Sequence, residues 1–389
     1  MTHSLRYAIV GAGAGIAELH LRALAQLPAA RIVGMADVNA ERGQPRAAEA
    51  GCPFFTDHRA MIEATQPDVV VICTPHPSHP QIALDAFARG AHVLTEKPIA
   101  VQIADADRMI AAADAAGRLL AVNFQQRFRP VIERAVRFIV EGELGALMRV
   151  QVSESWYRTA AYYKQAPWRG TWLGEGGAIL MNQAIHTLDL LCHLAGLPSK
   201  VWGWTKTRVH AIECEDTAQA MLEFDNGAPG YFTASTAEAI GGPHQRILIV
   251  GERGAIEIAD ARIILTRFVR DVREFAAYEP SPYASPEAVQ DVLELPGDGG
   301  GHLAVYRDLE AAMVEGRQPR VNGREARMSL ELANAITYSA HLDRPVTLPL
   351  DRDAYAALLA QLRAGAARNE QRLPTPHSQF PNLEGSRES

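Results

Sequence analysis

The 389-residue chain is predicted to fold as an α/β protein: a parallel sheet layered with helices, then an α+β half built on a large, mostly antiparallel sheet. Three observations carry that expectation. Short apolar runs alternate with helical stretches up to about residue 123, and longer period-two runs follow Phe128. A glycine-rich loop sits where the first run meets the first helical stretch.

Residues 7–10, 32–36, 69–73, 92–94 and 119–122 are rich in Val, Ile and Leu and read as strands. Between them, stretches such as 16–27 and 100–116 carry apolar residues at helical spacing. That alternation gives a parallel sheet with helices on both faces. A helix over about 131–141 ends at Gly142, and Gly145 turns the chain into a strand over 148–157. A helix over 179–194 precedes strands at 201–209, 217–224, 230–236, 246–250 and 255–266. Asp225-Asn226-Gly227 supplies a hairpin turn, because Asn and Gly tolerate positive φ. Helices over 302–314 and 325–342 are expected to cover part of this second sheet. Beyond Ala366 the chain is polar, with Pro374 and Pro376, and reads as a loose tail or a partner-wrapping arm.

The length suggests two domains, and 48% hydrophobic residues suffice for their cores. A net charge of -7, a pI of about 6.0 and scattered basic residues argue against a nucleic-acid binder. Cys52, Cys73, Cys192 and Cys214 form no C-x-x-C pair and read as reduced thiols. No apolar run reaches the ~18 residues of a membrane span. The apolar segment 8–17 lacks a basic leader, so a cytoplasmic protein is expected.

Gly11, Gly13 and Gly15 lie between the first strand and helix, where backbone amides can approach a pyrophosphate at a helix N-terminus. The third glycine position of the usual spacing falls on Ile16, and a small residue follows at Ala17, as if one residue were inserted. Asp37 ends the second strand, where an acid accepts hydrogen bonds from the adenosine ribose and repels a 2′-phosphate. NAD is therefore expected in preference to NADP. Thr74-Pro75 and His79 follow the third long strand, also at a carboxyl edge, and Ser78 could N-cap the next helix. His76 reads as structural or solvent-facing.

The fourth run ends in Glu96-Lys97-Pro98, which aims Lys97 at whatever binds outside the strand ends. Asn182 and His186 are four apart and are expected on one helix face, with Gly176-Gly177 leaving room at its start. A histidine near its free pKa suits removal of a hydroxyl proton at neutral pH. Asp189 and His193 extend the stripe, yet no H-E-x-x-H or cysteine pair supports a metal, and none is expected. A G-x-S-x-G elbow is absent.

Together the glycine loop, Glu96-Lys97-Pro98, Arg127-Phe128-Arg129-Pro130, Gly176-Gly177 with His186 and Asp189, and Gly301-His302 resemble the Gfo/Idh/MocA oxidoreductases, the glucose–fructose oxidoreductase and inositol dehydrogenase family. The resemblance runs from about Tyr7 to Pro349 and includes Arg344-Pro345-Val346. It implies a Rossmann domain over 1–124 and a substrate-binding, oligomerising α+β domain over 125–350, whose open sheet commonly makes subunit contacts. Residues 351–389 would form a terminal helix and tail, and the whole a homodimer or homotetramer. It also implies a nicotinamide across the cleft, Lys97 and His186 flanking the reacting carbon, and a cis Lys97–Pro98 bond. Glu96 and Asn123 join the expected cofactor contacts, and Gln125, Arg127, Tyr157, Trp168 and Arg169 those to substrate. Two departures stand out: the longer glycine loop, and Asn182 where many sugar and inositol dehydrogenases have aspartate.

The expected function is NAD-dependent oxidation of a secondary hydroxyl on a sugar, sugar derivative or cyclic polyol. His186 takes the proton, Lys97 binds the oxygen and favours its negative charge, and Asn182 orients the hydroxyl. Two alternatives are a glycoside-modifying enzyme that oxidises its sugar transiently and a non-catalytic dinucleotide-sensing protein.

Overall fold

The computed structural model describes residues 4–369. The expected tail beyond that point lies outside the described residues. In chain order the first half runs β1 (Leu5–Val10), α1 (Ala17–Leu24), β2 (Ala30–Ala36), α2 (Ala40–Glu49), β3 (Phe54–Phe55), α3 (His58–Thr65), β4 (Val69–Ile72), α4 (His79–Ala88), β5 (His92–Thr95), α5 (Ile103–Ala116) and β6 (Leu120–Val122). The six strands pair parallel in the order β3-β2-β1-β4-β5-β6. Every residue of β4 is buried, as a central strand covered on both faces requires. The chain reverses its direction of travel across the sheet between β1 and β4, and ligands of such sheets bind in the crevice outside that point. Gly11, Thr74 and Lys97 all follow strand ends on this edge.

The second half runs α6 (Pro130–Val140), β7 (Leu147–Ser155), α7 (Ala160–Lys164), α8 (Ile185–Ala195), β8 (Lys200–Lys206), β9 (Thr217–Glu223), β10 (Pro229–Ser235), β11 (Gln245–Gly251), β12 (Gly254–Ala259), β13 (Arg262–Phe268), α9 (Val272–Tyr278), β14 (Ala288–Glu294), α10 (Gly301–Glu315), α11 (Gly323–Leu342), β15 (Val346–Thr347) and α12 (Arg352–Asn369). Nine strands form one sheet, antiparallel except where β10 pairs parallel with β7. Its strands alternate buried and exposed residues: Val201 and Gly203 face inward, while Trp202 and Trp204 face out. The Asn226-Gly227 turn closes the β9–β10 hairpin, with Gly227 at φ +79.

Four expectations change. The run 255–266 is two strands, because Asp260 turns the chain with φ +52. Of the two late helices, α11 packs on β8, whereas α10 packs against α1 of the first half. Tyr306 of α10 reaches His20, and Glu310 accepts from the Tyr7 hydroxyl at 2.8 Å. Ser78 stands at the N-cap of α4, but its hydroxyl bonds back to Thr74 Oγ1 and the Pro75 carbonyl and not to the helix. The helix expected from 179 begins only at Ile185. Gly176 and Gly177 therefore belong to a turn, not a helix start. Gly176 has φ +77, and a Cβ there would lie 2.1 Å from Val101, so only glycine fits.

Candidate active site

The glycine loop closes tightly on the sheet. Gly11 has φ +89, and a Cβ would stand 2.7 Å from the Cys73 carbonyl carbon. Gly15 faces open space, so its backbone is approachable. Ile16 precedes the first turn of α1, and Ala17 is buried at its start, the close-packing position expected of a small residue. Asp37 accepts from Gly13 N at 2.7 Å and Asn39 N at 2.8 Å. It does not cap α2, because Asn39 does that by accepting from Arg42 N. The lengthened loop has a clamp that sequence reading missed: the Arg46 guanidinium donates to the Ala12 and Ala14 carbonyls. These residues fit a dinucleotide, with an approachable loop, an acid at the end of β2, and Asn123 Oδ1 buried beyond β6 without a partner.

At the end of β5 the Lys97–Pro98 bond is cis. Half-buried Lys97 extends its Nζ to the Asn182 carbonyl at 3.0 Å and to Asn182 Oδ1 at 3.2 Å. Burial lowers its ammonium pKa, while Glu96 and Glu175 work against that. Asn182 Nδ2 donates in turn to Glu175 Oε1 at 2.5 Å and lies 3.2 Å from the Tyr162 hydroxyl. Because Asn182 lies in the turn before α8, it reaches Lys97 from a loop and not from the helix face shared with His186.

His186 is buried, its ring edge-on to Phe124 at 5.7 Å, and its Nδ1 has no partner among the described residues. Burial, and then the Lys97 cation, lower its pKa to about 3. It is a neutral base at physiological pH, not one poised near its free value. Two carboxyls that sequence reading passed over face the same cluster. Glu175 is pushed up to about 7 by burial despite accepting from Gly170 N and Asn182. Glu154 of β7 is also pushed up to about 7 by burial, and among the described residues neither of its oxygens has a hydrogen-bond partner.

The other expected contacts divide between structural and cleft positions. Arg127 does not line a cleft: 1% exposed, it forms a two-pronged pair with Asp189 (2.8 and 2.7 Å) and reaches Glu325 at 3.0 Å. Asp189 is therefore its counter-ion and no part of a ligand stripe. His79 is fully buried with both ring nitrogens on the Thr74 and Pro98 carbonyls, so it braces the two loops and offers no free ring nitrogen to a cofactor. The Glu96 carboxylate points inward, taking His20 Nε2 at 2.9 Å and Asn123 Nδ2 at 2.5 Å, with His302 Nε2 at 3.6 Å. His20, Glu96 and His302 thus form a compact cluster of metal-capable groups. Gln125 lines a groove with Leu19, Gln26 and His302. His76 is buried and structural, its Nδ1 on the Glu175 carbonyl and its ring against Trp168. Pro75 and Tyr157 are exposed, Thr74 is half-buried, and Trp168 and Arg169 stack at 4.6 Å beside Tyr162.

Residues 5–124 match the model of an oxidoreductase family with an NAD-binding Rossmann fold, and 132–257 match the GFO/IDH/MocA C-terminal domain. The chain is 32% identical to the WlbA dehydrogenase from Bordetella pertussis, solved in complex with NADH and UDP-GlcNAcA. That likeness covers 90% of this chain and 99% of the other, with a TM-score of 0.79. D-apiose dehydrogenase from Paraburkholderia graminis is 27% identical over 93% of this chain and 94% of its own length. The scyllo-inositol 2-dehydrogenase (NAD(+)) of Bacillus subtilis is 27% identical over 92% of this chain and 100% of its own.

Proposed function

The chain belongs to the Gfo/Idh/MocA oxidoreductase family, NAD-dependent dehydrogenases of sugars and polyols, and from that premise we propose that it oxidises a secondary hydroxyl of a sugar-type substrate at Lys97. The observation that carries this reading is the meeting of Lys97 Nζ with Asn182 beside His186, where polar atoms stand without partners. The loop from Gly11 to Ile16, Asp37 and Asn123 would hold NAD, which when bound supplies the hydride acceptor. Relatives that act on apiose and inositol support a carbohydrate or cyclic polyol as substrate.

The division of labour is that 1–124 binds the dinucleotide and 125–350 the substrate. Lys97 binds the reacting oxygen and favours its negative charge. Asn182, fixed on its other side by Glu175, sets the ammonium's direction. His186 is unprotonated and has a free ring nitrogen, so it can accept the hydroxyl proton. Negative charge growing on the oxygen offsets the Lys97 cation that helps depress His186, which raises its proton affinity as the reaction proceeds. The outer sheet face also fits subunit contact. Trp202 and Met221 are 52% and 53% exposed there beside Trp204 and Tyr231, an apolar patch suited to a second copy of the chain.

The test is a panel of sugars, sugar derivatives and cyclic polyols assayed for NADH formation, with NAD and NADP compared. Net NADH from at least one free compound, with NAD preferred, is the expected result. Tight NAD binding with no hydride transfer across the panel would overturn it.

A further inference from the structure

Among the described residues, two arginines beside the Lys97 cluster form no salt bridge. Arg158 follows β7 and Arg169 follows α7, and their guanidinium carbons lie 4.9 and 4.4 Å from the centroid of one ring, that of Tyr162. Arg158 also stacks on Trp156 at 5.2 Å, and Arg169 on Trp168 at 4.6 Å. Glu154 feels the charge of Arg158 and Glu175 that of Arg169, but neither acid makes an ion pair within 4.0 Å. Their hydrogen bonds go to neutral acceptors: Arg158 Nη1 to the Tyr157 carbonyl at 3.1 Å, Arg169 Nη1 to the Tyr162 hydroxyl at 2.6 Å. Both Nε atoms are shielded from solvent and have no acceptor. A guanidinium offers five N–H donors in a fork that suits a carboxylate or phosphate, so most of the capacity of this pair is unused.

The position of the pair gives that capacity a target. The Tyr162 hydroxyl bridges Arg169 to Asn182 Nδ2 at 3.2 Å, and Asn182 Oδ1 takes Lys97 Nζ at 3.2 Å. Three cations are therefore linked through one tyrosine and one amide. The facing acids are Glu175, which binds Asn182, and Glu154, and burial drives both toward the neutral form. Arg127 shows the contrast, since its guanidinium meets two carboxylates. Cations gathered with so little neutralisation favour an anionic ligand.

We propose that the substrate is an acidic sugar, whose carboxylate or phosphate seats against Arg158 and Arg169 while its reacting hydroxyl lies at Lys97. This rests on the dehydrogenase reading above for the hydroxyl, but the anion seat stands on the two arginines alone. The aromatic floor of Trp156, Tyr162 and Trp168 holds the guanidinium planes without neutralising them, which keeps the seat ready for the ligand.

The test measures equilibrium binding to the NADH-saturated protein. The probes are hexuronates, hexose 1-phosphates and the matching neutral hexoses in gluco, galacto and manno configurations. At least one acidic probe is expected to bind about tenfold or more tightly than its neutral partner, and more weakly as salt rises. Whether the uronate or the 1-phosphate gains distinguishes the two anion sources. Arg158→Gln or Arg169→Gln should remove most of that preference while NADH affinity is kept. No acid preference in any configuration overturns the proposal, as does a preference that survives both substitutions. NAD reduction by the same probes separates the two readings. Neutral hexoses oxidised without acid preference would leave the dehydrogenase and remove the anion seat. Acid-selective binding without any turnover would do the reverse.

Discussion

Two ionic clusters share helix α8, one through Asp189 and the other through His186, and they are built to opposite rules. Around Arg127 every charge has a partner, with Asp189 on two nitrogens and Glu325 on the third. Around Lys97 the partners are an amide and a backbone carbonyl, while His186 Nδ1 and both Glu154 oxygens have none. A buried polar group left unpaired costs about 1–3 kcal/mol, so a fold retains a cluster of them only where something else completes it. The paired cluster reads as architecture, and the unpaired one as chemistry awaiting substrate.

Breaking the paired cluster should cost the most stability. Arg127→Met strands Asp189 in the interior and is expected to lose about 3–5 kcal/mol in chemical denaturation. Adding Asp189→Asn should restore part of that loss. A stable Arg127→Met protein with a raised substrate KM would instead return Arg127 to the cleft.

The unpaired cluster should respond in the opposite sense. The folded pKa of Glu154 is raised from 4.5 to about 7. Its contribution to stability is thus complete below about 4.5 and is lost as pH rises through about 7. Glu154→Gln removes that titration and should stabilise the protein at pH ~8 by up to roughly 3 kcal/mol, with little gain at pH ~5. Melting curves at the two pH values give the answer, and an equal effect at both would contradict the assignment.

A smaller effect belongs to Glu175, whose carboxylate fixes the Asn182 amide on Lys97. Protonation below about pH 7 replaces this charge-assisted bond with a weaker neutral one, so kcat/KM should fall on the acid side of about 7. Glu175→Gln should flatten this limb of the pH–rate profile. A limb unchanged in the variant would assign it to another group. Smallest is Asp37→Ala, expected to raise the KM for NAD about tenfold and narrow the preference over NADP, as steady-state kinetics with both would read.

The contrast also marks what could be seen in the sequence. The parallel sheet was legible because apolar runs such as Val69–Ile72 are unmistakable when both faces are covered. Lys97 and Asp37 were legible because strand ends fix where side chains emerge. Pairings between distant segments were not. Nothing near Arg127 announces Asp189, 62 residues away, so an arginine in a family motif read as a cleft residue. The spacing of Asn182 from His186 suits a shared helix face, and the turn before Ile185 does not show in residue periodicity. Glu154 did leave a signal: Val150, Val152 and Glu154 share the buried face of β7, so a carboxylate sat in an apolar register. Glu175, directly before Gly176-Gly177, had no such mark. Arg158 and Arg169 became informative only once their lack of carboxylate partners could be seen.

On the proposed function, the unpaired cluster does the chemistry and the paired one holds the fold. Lys97→Ala tests it most directly, with turnover, NADH affinity and melting temperature measured on one preparation. The expected result is a loss of turnover of about a thousandfold or more, with NADH affinity and melting temperature close to wild type. Substantial turnover in that variant, or a collapse in stability matching Arg127→Met, would contradict it.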